Sequence, residues 1–203
     1  MGKFERRTDN TKKTPSTWQQ KLLMDLHDIL FVLAGFMLIY MLFFRVVVVE
    51  GDSMKSTLLD GDRLLLLSNV VYQEPQQGDI IVARKNSFRG GECVVKRVIA
   101  TEGQTVAIDD GIVVVNGVEL DEPYLREGLL TDIKSNSVTF PLVVGEGQVF
   151  VLGDNRGASL DSRSRELGLI DERQILGKAI FLMMPGNDGG HQQPDYNRVG
   201  VVN

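Results

Sequence analysis

The chain has 203 residues, 43% of them hydrophobic and 24% charged, with 21 Gly and 6 Pro, which excludes a largely disordered or collagen-like polypeptide and is enough for one compact domain plus a further segment. Twenty-two basic residues against 27 acidic ones leave a net charge of −5, a poor balance for generic binding to a phosphate backbone. The single cysteine, Cys93, rules out an intrachain disulfide and a cysteine-based zinc site.

The charge is unevenly spread. Residues 1–21 hold six basic and two acidic side chains, a balance of +4, while the rest of the chain holds 16 basic and 25 acidic, a balance of −9. Ile29–Phe44 then runs for 16 residues without a charge. As a helix it spans about 24 Å, against a hydrocarbon core of about 30 Å. Extended from Leu26 through Val49 it reaches 24 residues, provided Arg45 snorkels outward. The run is apolar on every face and follows a basic tail, so it reads as a transmembrane anchor at 26–46 rather than a buried core helix. No small-residue cleavage motif follows it, which favours an anchor that stays attached. Six basic residues before the run, against Arg45 alone directly flanking its far end, place 1–25 in the cytoplasm, and all beyond about Val46 outside the membrane.

The outer part reads as β structure. Val46–Glu50, Arg63–Leu67, Asp79–Arg84, Cys93–Ala100, Thr105–Ile108, Ile112–Val115, Gln148–Leu152 and Ile175–Met183 are short runs rich in Val, Ile and Leu. Asp110-Gly111 and Asn116-Gly117, on either side of Ile112–Val115, are hairpin-turn dipeptides. The reading is an all-β domain at 47–184, a polar excursion from Arg126 to Ser137, and a flexible C-terminal tail at 185–203.

No glycine cluster opens a helix as a phosphate or dinucleotide loop must, and no cofactor is expected. The two histidines are badly placed for a Ser-His-Asp hydrolase. His27 lies at the cytoplasmic edge of the anchor and His191 in the tail. A base for nucleophilic catalysis must therefore be another residue type, held within hydrogen-bond reach of its nucleophile.

Lys96 stands mid-run in CVVKRVIA, sharing a face with Val94 and Val98 by strand alternation, while Cys93, Val95, Arg97 and Ile99 point the other way. Desolvation there lowers a lysine pKa. Moving it from about 10.4 to about 7 takes roughly 4.6 kcal/mol. From composition alone the residue better suits the solvated face of a half-buried strand, its stem covering neighbours. Ser53, in the bend Glu50-Gly-Asp-Ser-Met, is placed to project a hydroxyl where backbone N–H groups converge, although serines also populate turns for local bonding. Gly153–Arg163 is a third polar patch, which by itself reads as an ordered surface loop.

In order along the chain, Ser53-Met54…Thr57-Leu58, Gly61-Asp62-Arg63, Lys96-Arg97 and Gly153-Asp154-Asn155-Arg156…Ser159…Asp161-Ser162-Arg163 closely resemble the boxes of bacterial type I signal peptidases, which are membrane-anchored Ser/Lys endopeptidases. The resemblance runs from the anchor to about Ala179, where Gly177-Lys178-Ala179 is similar to the family's closing strand, and the single span resembles the Gram-positive form. It implies an antiparallel β-sheet signal-peptidase catalytic domain on one N-terminal transmembrane helix. It also implies Ser53 as nucleophile, Lys96 as general base and Ser159 as the serine that orients the lysine. The Ser53 backbone N–H would form part of an oxyanion hole, Met54 would lie on an apolar surface facing the membrane, and Asp154, Asp161 and Arg163 would form a salt-bridged scaffold. No metal is implied. The partners implied are precursors bearing signal peptides as they emerge from the export machinery, cut after Ala-x-Ala, and the lipid bilayer, with no nucleic acid.

Three positions depart from the pattern. Ser56 stands where the family usually has Pro, Gly51 where some members carry a second oxyanion donor, and Ala100-Thr-Glu-Gly-Gln104 where Gly-x-Pro-Gly-Asp is common. The alternatives are a peptidase for a narrow set of exported proteins, such as pilus components, and a non-catalytic assembly factor on the same fold. Self-cleaving Ser/Lys repressors share the chemistry but lack an anchor.

Overall fold

The computed structural model describes residues 17–85, 88, 90–133, 136–187 and 193–202, except the Gln19 side chain. Most of the expected basic tail, and His191, lie outside them. The chain divides into two units near residue 40.

α1 (Thr17–Phe43) is a 27-residue helix that lies in the first unit up to Tyr40, and its described side chains are almost all exposed. Its Gln20–Phe43 stretch is 24 residues, long and apolar enough to cross a membrane. At the α-helical rise that is about 36 Å, more than the hydrocarbon core requires. The helix begins earlier than the expected span at 26–46 and stops at Phe43. Phe44–Val46 belong instead to a strand, and Arg45 faces Leu66 across a ladder rather than continuing the helix. A run of β-branched valines is stiff at χ1 and favours the pleated surface, and here a partner strand satisfies its backbone.

The second unit holds β1 (Phe44–Val48), β2 (Arg63–Ser68), β3 (Ile80–Arg84), β4 (Cys93–Ala100), β5 (Thr105–Asp109), β6 (Ile112–Val115), β7 (Val118–Glu119), β8 (Leu142–Val143), β9 (Gln148–Leu152), β10 (Ile170–Asp171), β11 (Ile175–Met184) and β12 (Gly200–Val201). The longer strands fall on the expected runs, while β1 starts two residues early. The two-residue strands β7, β8, β10 and β12 are too short for alternation to mark them. Every pairing is antiparallel. The large sheet has the order β1-β2-β11-β3-β4-β9-β10, with β12 added to β11, and a smaller sheet has the order β7-β6-β5-β8. Asp110-Gly111 and Asn116-Gly117 connect β5, β6 and β7 as expected. All four residues have positive φ, the requirement of a two-residue type I′ turn.

β4 lies between β3 and β9 and is covered on both faces. Val94 and Val98 enter one apolar cluster with Ile81, Val151 and Ile175. Val95 packs on a second cluster around Leu64, Leu66 and Val82, and Ile99 enters a third with Val106 and Phe150. Any polar side chain on this strand is therefore buried unless it leaves by an end.

The expected flexible tail at 185–203 is ordered over its described part. Gly200 and Val201 pair with Leu182 and Phe181, and Arg198 forms an ion pair with Asp62. Backbone pairing and a buried carboxylate hold a segment whose composition carries no periodic signal.

Gly177 lets β11 lie close against β2, its neighbour in the large sheet. A Cβ there would lie 2.3 Å from the Leu67 carbonyl oxygen and 3.1 Å from its carbon, both backbone atoms that cannot swing aside. Gly177→Ala is expected to destabilise the β unit by about 2 kcal/mol, seen as a fall of about 4–8 °C in Tm by calorimetry.

Candidate active site

Ser53 sits in the loop Val49–Asp62 that follows β1. The loop is closed at its base by Val49 N–H donating to Asp62 O at 2.8 Å and Gly61 N–H donating to Val49 O at 2.9 Å. Gly51 and Gly61 take φ of +84° and +82°, values that favour glycine. Inside the loop the N–H groups of Thr57 and Leu58 both donate to Met54 O at 2.8 Å, forming a turn immediately after Ser53. This turn sends the Met54 side chain inward. Met54 is fully buried in the cluster with Leu58, Leu64 and Leu66, which corrects the expectation of an apolar surface position.

Ser53 is half-buried, and its Oγ lies 2.7 Å from Lys96 Nζ. Nζ also donates to the Val95 carbonyl at 2.9 Å. Lys96 is only 4% exposed, which decides against the solvated face that its stem would also have suited. Burial lowers its pKa to about 8, against the smaller opposing pull of Asp161 and then Asp154. Neither carboxylate is free to act as its counter-ion. Asp154 accepts from Arg97 Nε at 3.0 Å and Nη2 at 2.8 Å, and Asp161 from Arg163 Nε at 2.8 Å and Nη2 at 2.9 Å. Bidentate guanidinium pairs of this kind satisfy most of a carboxylate's acceptor capacity.

Gly153–Arg163 is largely buried rather than a surface loop, with only Gly157 and Ala158 exposed. Asp154, Arg156 and Ser162 are fully buried, and Asp161 and Arg163 nearly so. Arg163 also donates to the carbonyls of Arg156 at 2.7 Å and Asp132 at 3.0 Å, and Asp161 accepts from Gly153 N–H at 3.1 Å. Asn155 fastens this loop to the Ser53 loop, its N–H donating to Ser53 O at 3.0 Å and its amide to Asp52 O at 2.9 Å. Thr57 Oγ1 donates to Asp154 at 2.5 Å from the other side. The expected scaffold residues Asp154, Asp161 and Arg163 are thus brought together with Ser53 and Lys96.

Ser159 is brought close but not bonded as expected. Its Oγ is buried without a hydrogen-bond partner among the described residues, and Lys96 is oriented by the Val95 carbonyl instead. Gly153 separates the two serines. A Cβ on it would lie 2.2 Å from Ser159 Oγ and 2.4 Å from Ser53 O, so only glycine fits between them.

Several contributors escape a reading of the sequence for catalytic types. Gly153 is one. Arg97 is another, lying on the opposite face of β4 from Lys96, with its guanidinium 3.8 Å from the Tyr124 ring centroid. Arg156 is a third, donating to Glu122 and to Thr131 Oγ1 in a fully buried position. For Arg97 the available signal was an arginine in an otherwise apolar run, which cannot be buried without a partner. His27 is exposed on α1, and Cys93 is a free, exposed thiol. Among the described residues no group of three or more His, Cys, Asp or Glu is placed to hold a metal ion.

A hydroxyl lies within hydrogen-bond reach of a desolvated amine, inside an antiparallel β unit. Comparison with known proteins is specific. The family model of "Signal peptidase, peptidase S26" matches residues 23–184. Signal peptidase I of Bacillus licheniformis is 36% identical over 192 residues, covering 91% of this chain and 96% of that protein. Signal peptidase I T of Bacillus subtilis is 35% identical over 189 residues, with the same shares covered. A crystal structure of a signal peptidase I from Enterococcus faecalis, 34% identical, aligns over 52% of this chain and 96% of that one with a TM-score of 0.43. The chain belongs to the signal peptidase family, peptidase S26. It is a peptidase of signal-peptide processing, and its apolar helix is consistent with membrane anchoring.

Burial of Lys96 penalises its charged form, so the lysine costs stability wherever it is protonated in the folded state. Its folded pKa lies below the unfolded value of 10.5, so that cost is full below about pH 8 and fades as pH rises to 10.5. Lys96→Met is expected to stabilise the β unit by about 1–3 kcal/mol at pH 7, the gain shrinking toward pH 10.5. Denaturant titrations at the two pH values check the sign.

Proposed function

We propose that the chain is a membrane-bound Ser/Lys endopeptidase that removes N-terminal signal peptides from exported precursors after small residues in the Ala-x-Ala pattern. The observation that carries this reading is the 2.7 Å contact between Ser53 Oγ and the buried Lys96 Nζ. In the neutral form the lysine lone pair takes the Ser53 proton as Oγ attacks the scissile carbonyl. The tetrahedral oxyanion is met by the Ser53 N–H, which donates to no acceptor among the described residues. Collapse breaks the C–N bond, Lys96 returns its proton to the new amino terminus of the mature protein, and an ester on Ser53 remains. Lys96 then activates a water that hydrolyses the ester, freeing the signal peptide and restoring Ser53. Ser159 is assigned a supporting place beside Lys96, since its buried hydroxyl has no competing bond.

β1 is an edge strand of the large sheet and leads within a few residues to Ser53. An extended precursor segment pairing with that edge would bring its carbonyl to Oγ and send alternate side chains into two subsites. The basic 1–25 segment is assigned to the cytoplasm, α1 to the bilayer and residues 47–184 to the far side, where precursors emerge from the export machinery. Confinement of enzyme and precursor to one membrane raises their effective concentration. No cofactor enters the cycle.

Detergent-solubilised full-length protein is expected to cleave an Ala-x-Ala precursor, and Ser53→Ala and Lys96→Ala to lose about 10⁴-fold in kcat while remaining folded. Near wild-type activity in the lysine variant would remove Lys96 from the mechanism. Because the base must be neutral, kcat/KM is expected to rise about tenfold per pH unit below about pH 8 and to level off above it. A profile flat from about pH 6 to 9 contradicts the assignment.

A further inference from the structure

The family match ends at residue 184, yet the described residues beyond it reach back to the loop that carries Ser53. Asp62 closes that loop and is fully buried. Four donors converge on its carboxylate. Leu59 N–H comes from the loop itself at 2.8 Å, and Gly186 N–H arrives at 2.7 Å. The other two are Arg198 Nη1 at 3.0 Å and Nη2 at 2.6 Å, each on a different oxygen. Arg198 Nη2 also donates to the Thr57 carbonyl at 3.2 Å, between Ser53 and Asp62 in the same loop.

The arginine is held firmly. It closes a one-turn 3-10 helix, Tyr196–Arg198, whose Asp195 cap accepts from Asn197 N–H at 3.0 Å, and β12 follows directly, paired to β11. A second contact is independent of charge. Gly186 packs so closely that a Cβ on it would lie 2.0 Å from Asp60 O and 2.6 Å from the Gly61 carbonyl carbon. The segment after β11 is therefore moulded to the back of the nucleophile loop at two places. On its front, Asn155 holds Ser53 O and Asp154 holds Thr57 Oγ1. Thr57 is gripped from both sides, by its side chain in front and by its carbonyl behind.

We propose that Arg198 is a positioning residue of the peptidase: through Asp62 and the Thr57 carbonyl it fixes the turn that aims Ser53 at Lys96, so that the segment around β12 is a working part of the catalytic unit. The inference rests on the Ser53/Lys96 reading. Loss of the guanidinium leaves Asp62 buried with two backbone donors and frees the Thr57 carbonyl. A nucleophile displaced by a fraction of an ångström loses the near-attack geometry on which turnover depends, while substrate subsites elsewhere are untouched.

The test uses full-length detergent-solubilised protein and an Ala-x-Ala precursor, comparing Arg198→Ala and Arg198→Lys with wild type and Ser53→Ala. Below the melting transition of every variant, Arg198→Ala is expected to lose about 10- to 100-fold in kcat with KM changed less than about twofold. Arg198→Lys, which keeps the charge and a single donor direction, is expected to recover part of that loss. A lowered Tm with kcat within twofold of wild type for the folded fraction overturns the proposal, leaving Arg198 a staple of stability only. If the alanine variant does not fold, Arg198→Lys and Arg198→Gln decide the matter. A graded fall in kcat at constant KM supports positioning, and unchanged kcat in both refutes it. Retained activity in Ser53→Ala would instead sink the Ser/Lys reading itself, whatever the Arg198 variants do.

Discussion

Neighbouring residues on a strand cannot share a face, and at Lys96-Arg97 that constraint organises the whole site. The two cations stand side by side on β4 and meet opposite fates. Arg97 turns to the face where Asp154 waits and becomes half of a buried bidentate pair, its charge retained. Lys96 turns to the other face, where its partners are a hydroxyl and a carbonyl, so burial prevails and its pKa falls to about 8. One strand thus supplies a permanent cation that holds the scaffold and a lysine that can give up its proton. The residue types suit these places, because guanidinium resists deprotonation while an amine shifts readily when desolvated.

The scaffold explains why two nearby aspartates do not undo the effect. Each raises the lysine pKa, yet each is already saturated by its own arginine, so burial remains the largest influence. Removal of either arginine would leave a buried carboxylate without its partner. Buried ion pairs of this type contribute little to net stability, since desolvation offsets their attraction. Their value lies in orientation. Gly153 completes the arrangement by letting Ser53 and Ser159 approach from opposite sides, where any side chain would collide.

Much of this was legible beforehand. The longer strands, both Asx-Gly hairpins and the apolar helix followed from composition and alternation, since period-2 patterning and turn chemistry are local. Alternation also assigned Lys96 and Arg97 to opposite faces. Family-like boxes then pointed to Ser53, Lys96 and the loop after β9 as one site. The misreadings share a physical cause. Met54 turned inward, β1 took over the end of the expected span, and the described residues after β11 pair with β11 and Asp62. Each depends on partners set by the tertiary fold: the cluster around Leu64 and Leu66, the β2 ladder, and the buried Asp62.

The sequence by itself determined which stretches are strand or apolar helix and which residue types can serve as nucleophile and base, because these follow from side-chain chemistry and short-range periodicity. Only the tertiary structure decided whether Lys96 is dry, which carboxylates are spoken for, and what supports the nucleophile loop from behind. Desolvation and bidentate pairing arise only when distant segments close around a group, and no local pattern encodes that closure.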